Sequence, residues 1–474
     1  MSSFAKSFSQ ERYGICNSLY AGIQNNWLNP ALLSGTPYVW DFNLVMVHSF
    51  TDNNYLYLYQ TNIPDFISDN GKTHIYIDNI ADMDHNLHSK YMIEKKVDNV
   101  WNKNVYFTAT VQGPSIMFNI YKWTFAIEDA FRSAVSVNHI NKDLANMFFQ
   151  GGPTNYLQLM NFSIPKFRVN ALVWDEVGIS ASKMITTYND FHIKAGITLK
   201  HLNGFAGAYV LNKANSSFIF DPKDTSLCFN NINAKYGYSF NQKNPIQPQG
   251  SGFSTDVGVT FEKKTLVNKY QCPSFCDKRL DIQYSWKLGF SLIDIGYITF
   301  NKNAQVFSIN NPSDKWFNIT KVKANDVDDI DSLISAHFNK SLAKANASKF
   351  TMMLPWAACL DYDYNIGYGL YVNGTWMQHI PHFGLPGVDR ENSIAFTPRY
   401  DTREFGVAMP FIFYQYLWPR IGFTIRLSNF LTIGTDKLGA FIGNRVSGED
   451  IYFDLKINLL KKCRSKKRAM PSFL

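Results

Sequence analysis

Phe191-His192-Ile193-Lys194-Ala195-Gly196-Ile197-Thr198-Leu199-Lys200 runs into His201-Leu202-Asn203-Gly204 and then Phe205-Ala206-Gly207-Ala208-Tyr209-Val210-Leu211. Phe191, Ile193, Ala195, Ile197 and Leu199 alternate with His192, Lys194, Gly196, Thr198 and Lys200. Successive side chains of a strand point to opposite faces, so the first half reads as a strand with one apolar and one polar face. Asn-Gly tolerates the positive φ angles of a tight turn, and Phe205, Gly207, Tyr209 and Leu211 restart the alternation. The stretch is therefore predicted to be a β-hairpin.

The same two-residue period recurs on both sides. Trp40-Phe42-Leu44-Met46, Val105-Phe107-Ala109-Val111, Ile116-Phe118-Ile120 and Trp123 to Val137 precede it. Val257-Val259-Phe261 opposes Asp256, Gly258, Thr260 and Glu262, and Trp286-Leu288-Phe290-Leu292 opposes Ser285, Lys287, Gly289 and Ser291. Later, Phe423 and Ile425 oppose Thr424 and Arg426, while Phe453 and Leu455 oppose Asp454 and Lys456. Residues 64–103 and Ser216 to Ser251 are polar and predicted to be loops. Ala324 to Ala345 carries apolar residues at helical spacing behind an acidic start, so one loop helix is predicted at about 324–345.

The 474 residues are 46% hydrophobic and only 18% charged, with 16% aromatic residues. No uninterrupted apolar run is long enough for a spanning helix. The nearest, Gly406 to Ile425, holds Pro410, Pro419 and Arg420 and reads better as two strands. The net charge of +8 is partly local, since Lys461, Lys462, Arg464, Lys466, Lys467 and Arg468 crowd the C-terminal end. A basic run after the last strand reads as a solvated tail, so no nucleic-acid partner is expected.

Three features favour a membrane barrel over a soluble sandwich. The strands suit a tilted span of ~9–11 residues. Their polar faces carry Lys, Arg, Asp and Glu in mid-strand, as a wet or plugged lumen requires. Aromatic residues gather near strand ends. A bilayer forbids open sheet edges, so the strands must close on one another.

Asn29-Pro30-Ala31, the run Ala195 to Gly204, Thr255 to Val259, Leu288 to Gly296, Leu354-Pro355, Asp361 to Tyr364, Thr397 to Tyr400 and Ile433 to Asp436 occur in this order. The chain, from about Tyr13 to Leu460, resembles a family of Bacteroidota outer-membrane barrels of undefined function, itself similar to FadL-like and PorV-like barrels. The resemblance implies that the Asn-Pro-Ala segment folds into the lumen as a hatch. Residues 13–33 are also rich in amide side chains, which can donate to and accept from a charged wall. The expected fold is an all-β, closed antiparallel transmembrane barrel of ~14 strands. It is divided into a leader remnant or flexible segment at 1–12, a luminal hatch at 13–35, the barrel at 36–460 and a basic periplasmic tail at 461–474. No signal peptide is visible; an upstream segment removed or missed is the expectation, with the bacterial outer membrane as the location.

No nucleophile elbow or metalloprotease helix motif occurs, so no catalytic residue, cofactor or metal site is expected. His85 and His88 with Asp82 and Asp84 could meet a divalent cation, as could His379 and His382, but a solvated polar loop is the readier reading of both. For Cys272 and Cys276 a local disulfide and a pair of free loop thiols stay equally open. Expected lumen and hatch residues are Asn29, Pro30, Ala31, His192, Lys194, Lys200, Asp256, Glu262, Lys287, Arg426, Asp454 and Lys456. Mixed signs among them point to mutual ion pairs rather than an ion-selective pore. The expected function is a non-enzymatic accessory or scaffold role in an envelope machine, partnered by outer-membrane lipid and other envelope proteins. The alternative is a FadL-like channel for a hydrophobic small molecule.

Overall fold

A computed structural model describes residues 11–59, 62–68, 76–77, 92–95, 102–142, 144–145, 161–188, 190–221, 223–224, 226–264, 284–316, 347–416, 418–443 and 445–460. The predicted 324–345 helix, the Cys272–Cys276 pair, Asp82 to His88, residues 1–10 and the 461–474 tail lie outside them.

Among the described residues fourteen strands form one closed antiparallel wall. They are β1 (Tyr38–Asn53), β2 (Asn102–Gln112 and Ser115–Ile120), β3 (Trp123–Asn141), β4 (Asn161–Ile164 and Phe167–Tyr188) and β5 (Phe191–Asn212). Next come β6 (Gly250–Lys264), β7 (Tyr284–Phe300), β8 (Phe350–Met353 and Ala357–Gly367), β9 (Leu370–His379) and β10 (Ser393–Asp401). β11 (Phe405–Ala408 and Phe411–Tyr414), β12 (Trp418–Ile421 and Phe423–Leu427), β13 (Leu431–Thr435) and β14 (Asp450–Leu460) complete the round. Each strand pairs with its neighbour, and β14 closes on β1 from Tyr38↔Leu460 to Phe50↔Asp450. Closure removes the sheet edges that an open wall would leave unpaired.

β1 begins and β14 ends at the end of the barrel where β2–β3, β4–β5, β8–β9, β10–β11 and β12–β13 join by tight turns. Most of the longer connections, that between β6 and β7 being the exception, leave from the opposite end. There Ser216–Asp221, Ser226–Ser239 and Ala304–Trp316 prolong the wall, the second pairing with Gly207 to Asn212 of β5.

Two sequence expectations are overturned here. Phe191 to Leu211 is no hairpin but part of one strand, paired with β4 along its length. Asn203 and Gly204 have partners on both flanks, Asp175 and Trp174 on one and Ser251 and Gly250 on the other. Neither has a positive φ. The restarted alternation is a bulge between Gly204 and Ala206, which shifts the inward face from Leu202 and Gly204 to Gly207, Tyr209 and Leu211. An extra residue in one strand flips the phase without turning the chain. Ser216 to Ser251 is likewise not all loop. Ser216–Asp221 and Ser226–Ser239 are strands beyond the main wall, which bury Phe218, Phe220 and Leu227 among polar neighbours, while Asn241 to Gln249 remains loop.

The lumen has two layers. On β4, Ser182, Ser180 and Glu176 give way to Trp174 and Leu172; on β5, Lys194, Thr198 and Lys200 give way to Leu202 and Tyr209. The polar half lies toward the tight turns. In the other half an apolar cluster joins Trp174, Leu202, Tyr209, Phe300, Met352 and Leu354 with Val388 from the β9–β10 connection. Most outward residues are large and apolar, Ile179 being 62% and Leu199 60% exposed, with a few polar ones such as Asp129 and His201 among them.

Candidate functional site

Residues 11–35 fill the polar half of the lumen. Two 3-10 helices, Gly22–Trp27 and Pro30–Leu33, form there. Pro30 restricts Asn29 to an extended conformation, which the structure gives it at φ −161° and ψ 113°. Asn29 then caps the second helix, its Oδ1 accepting from the Ala31 N–H at 2.9 Å. Its Nδ2 donates to the carbonyls of Val259 (3.4 Å) and Phe290 (3.3 Å). The turn lies against β5 and β6, where Gly196 pairs with Gly258. A Cβ on Gly196 would overlap the Pro30 backbone, and one on Gly258 would overlap Asn29 Oδ1. These glycines are there because the Asn-Pro-Ala backbone approaches the wall too closely for any side chain.

The segment also meets the wall through its amides and carbonyls. Gln24 donates to Asp454 (3.1 Å) and Gln112 (3.0 Å), and Asn26 to Glu128 (2.7 Å) and Ser180 (3.0 Å). Lys456 donates to the carbonyls of Tyr20 and Ala21, each at 2.7 Å. Ser18 donates to Asp401 at 2.6 Å. At the start of the segment the Tyr13 N–H donates to Asp436 in the β13–β14 connection at 2.9 Å. Burial, then the neighbouring Asp450 carboxylate, raise the Asp436 pKa well above the ordinary carboxylate range.

Beneath this segment sits a buried charge network. Lys200 Nζ reaches Asp256 (2.9 Å), Asp294 (3.1 Å) and Glu176 (3.3 Å). Arg132 forks onto Asp294 (2.9 and 3.0 Å) and Glu176 (3.1 Å), and Arg390 bridges Asp294 to Glu11. Trp27 lies with Arg12, Arg132 and Lys200 at 5.4, 5.2 and 5.5 Å from its ring centre. Such charges persist away from water only when paired and hydrogen-bonded. The arrangement carries ion pairs and no nucleophile–base–orienter geometry.

The other singled-out residues also point inward. Lys194 pairs with Glu262 at 2.6 Å, Lys287 approaches Asp363 at 3.8 Å, and Arg426 pairs with Asp401 at 2.8 Å. His192 Nδ1 lies 3.1 Å from the Met184 sulfur. His379 and His382, expected in a solvated loop, are instead buried, because the β9–β10 connection folds into the barrel mouth. Sequence reasoning missed Arg132, Glu176, Asp294, Arg390 and the Asp363–Arg399 pair. Asp363 and Arg399 do lie within quoted motifs, Asp361 to Tyr364 and Thr397 to Tyr400. A mid-strand charge opposite an apolar face was the available signal.

Among the described residues one stretch of the wall has a strand partner on one side only. Trp418–Ile421 of β12 pairs with β11 on one side and, among the described residues, with no strand on the other. Pro410 and Gly422 mark the break, where the Gly422 N–H donates to the Pro410 carbonyl at 2.7 Å. Beside it opens a cleft of about 620 Å³ lined by Pro419, Ile421, Leu438, Gly439, Ala440 and Ile442, among others. Asp52 pairs with Arg420 (2.6 Å) and Lys437 (3.0 Å) at its inner side.

A family described as a family of unknown function (DUF5723) matches residues 30–436. No curated protein sequence matches the chain. Among solved structures it is similar to a Pseudomonas aeruginosa FadL homologue, with 11% identity, a TM-score of 0.39 and 96% and 99% of the two chains covered. For the Pseudomonas putida toluene transporter TodX the figures are 8%, 0.32, 97% and 100%. For the Escherichia coli outer membrane protease OmpT they are 6%, 0.21, 88% and 97%. The antiparallel ladder, closed by β14 on β1, makes the chain a barrel. The scaffold role implied by the PorV-like resemblance has no counterpart among these structures.

Proposed function

The chain belongs to this family of unknown function, and we propose that it is an outer-membrane β-barrel that admits a hydrophobic small molecule through the side of its wall. The apolar outer surface supports membrane insertion, because a soluble barrel would pack or cover side chains such as Ile179 and Leu199. The tight turns then face the periplasm and most of the long connections the outside. Residues 11–35 act as a hatch that shuts the axial route in the polar half.

The observation that carries the reading is the one-sided pairing of Trp418–Ile421 beside the 620 Å³ cleft. Phe413 and Ile421 at that height are apolar and exposed outward, as a lipid-facing wall requires. The Leu438 N–H donates to the Ile421 carbonyl at 2.8 Å, so part of this flank is satisfied by the β13–β14 connection rather than by a strand, as irregular backbone that lines a cavity can be. The same half of the lumen is apolar about Trp174, Leu202 and Phe300, although none of these lines the cleft.

Gly439 provides the test, since a Cβ there meets nothing within 4 Å and a larger side chain grows into the cleft. Cells making the protein should take up the hydrophobic fluorophore N-phenyl-1-naphthylamine faster than cells lacking it. Gly439→Trp should reduce that gain several-fold, with the ionic conductance of the reconstituted barrel staying low. Uptake equal to that of control cells, or equal in Gly439→Trp and wild type, refutes the side route.

A further inference from the structure

His379 ends β9, and His382 and Asp389 lie in the connection that follows. One donor atom from each falls within 4.8 Å of the others. His379 Nε2 is 3.3 Å and His382 Nδ1 is 3.4 Å from Asp389 Oδ1. The three side chains are 3%, 0% and 1% exposed.

Their hydrogen bonding leaves these same atoms bare. His382 Nε2 lies 2.8 Å from the Leu354 carbonyl, an acceptor, so that nitrogen carries the proton and Nδ1 presents a lone pair. Asp389 Oδ1, His382 Nδ1 and both ring nitrogens of His379 have no hydrogen-bond partner. A lone pair therefore faces a carboxylate oxygen in a buried place, which is repulsive unless a cation stands between them. Arg168, 3.3 Å from Asp389, pairs with the other oxygen, Oδ2. Asn138 Nδ2 donates to that same Oδ2 at 2.5 Å.

We propose that His379, His382 and Asp389 hold a divalent metal ion of the zinc class in four-coordinate geometry, with the fourth position open. Ligands at about 2.0–2.1 Å from a tetrahedral ion stand about 3.3–3.4 Å apart, against about 2.9 Å at the right angles of an octahedral site. The two edges to Asp389 fit the tetrahedral value, and the third, between the two histidine nitrogens, lies within 4.8 Å. Two imidazoles with one carboxylate suit zinc, whereas calcium and magnesium take oxygen ligands. The surroundings are those of a metal site: one histidine donates its other nitrogen to a backbone carbonyl, and the ligating carboxylate is itself hydrogen-bonded.

The ion fastens the inward-folded β9–β10 connection. The Asp389 N–H donates to Ser136 Oγ (3.3 Å) and Gly387 N–H to Asn170 Oδ1 (3.3 Å), so the connection reaches across to β3 and β4. A metal at its base ties that bridge to β9.

The full chain, purified in detergent and dialysed after exposure to zinc, should retain one zinc per chain by elemental mass spectrometry. Cobalt should give the intense visible absorption of a four-coordinate ion. His382→Ala and Asp389→Asn should lose the zinc, while His201→Ala, on the outer face, should keep it. If either ligand variant does not fold, Asn138→Ala decides, with an expected 10–100-fold loss of zinc affinity. A wild-type chain that binds neither metal, zinc retained in both ligand variants, or unchanged affinity in Asn138→Ala overturns the assignment.

Discussion

Lys200→Met tests whether the lumen charges hold the barrel together. The substitution keeps most of the side-chain length and removes the ammonium from among Asp256, Asp294 and Glu176. Asp294 retains Arg132 and Arg390, and Glu176 retains Arg132 and the Trp174 N–H. Asp256 loses the cation it pairs with and keeps the Asp294 N–H at 2.6 Å. One buried charge is therefore uncompensated, so the cost should be that of one broken buried pair, about 3–5 kcal/mol, rather than three. Adding Asp256→Asn removes the stranded charge, and the double variant should recover most of the loss. Denaturant titration in lipid vesicles reads this through tryptophan fluorescence, since Trp27 and Trp174 flank the network. A loss below about 1 kcal/mol, or a double variant no better than Lys200→Met, would refute a paired and water-free network.

Two further outcomes follow from the wall. Gly258→Leu should unseat the Asn29-Pro30-Ala31 turn and turn a barrel of low planar-bilayer conductance into a leaky one; conductance unchanged from wild type would mean the segment does not close the lumen. Ile425→Arg places a charge on the outer face and should cost about 2–4 kcal/mol near the bilayer midplane; rapid labelling of a cysteine at 425 by a membrane-impermeant reagent, with none at 426, would reverse the two faces.

The two-residue period by itself determined the faces only within runs free of bulges; past the irregularity at Asn43–Val45, Met46 turns inward and leaves the face of Trp40 and Phe42. Lys194, Lys200, Asp256, Arg426, Asp454 and Lys456 point inward as their spacing implies, because side-chain alternation is local to the strand. The tight approach of residues 29–31 to Gly196 and Gly258 was present in the sequence as separate motifs, without the contact that explains them. Tertiary structure alone decided the rest. Asn203-Gly204 has the composition of a turn, yet it is a strand because neighbours on both sides supply its hydrogen bonds. Lys200 meets Asp294 across 94 residues of sequence, and Asp389 meets Asn138 across 251. Which charges pair, which flank of Trp418–Ile421 has no strand partner among the described residues, and which donors converge at His379 depend on strand register. Register is set by closure of the whole barrel, and no local stretch of chain contains it.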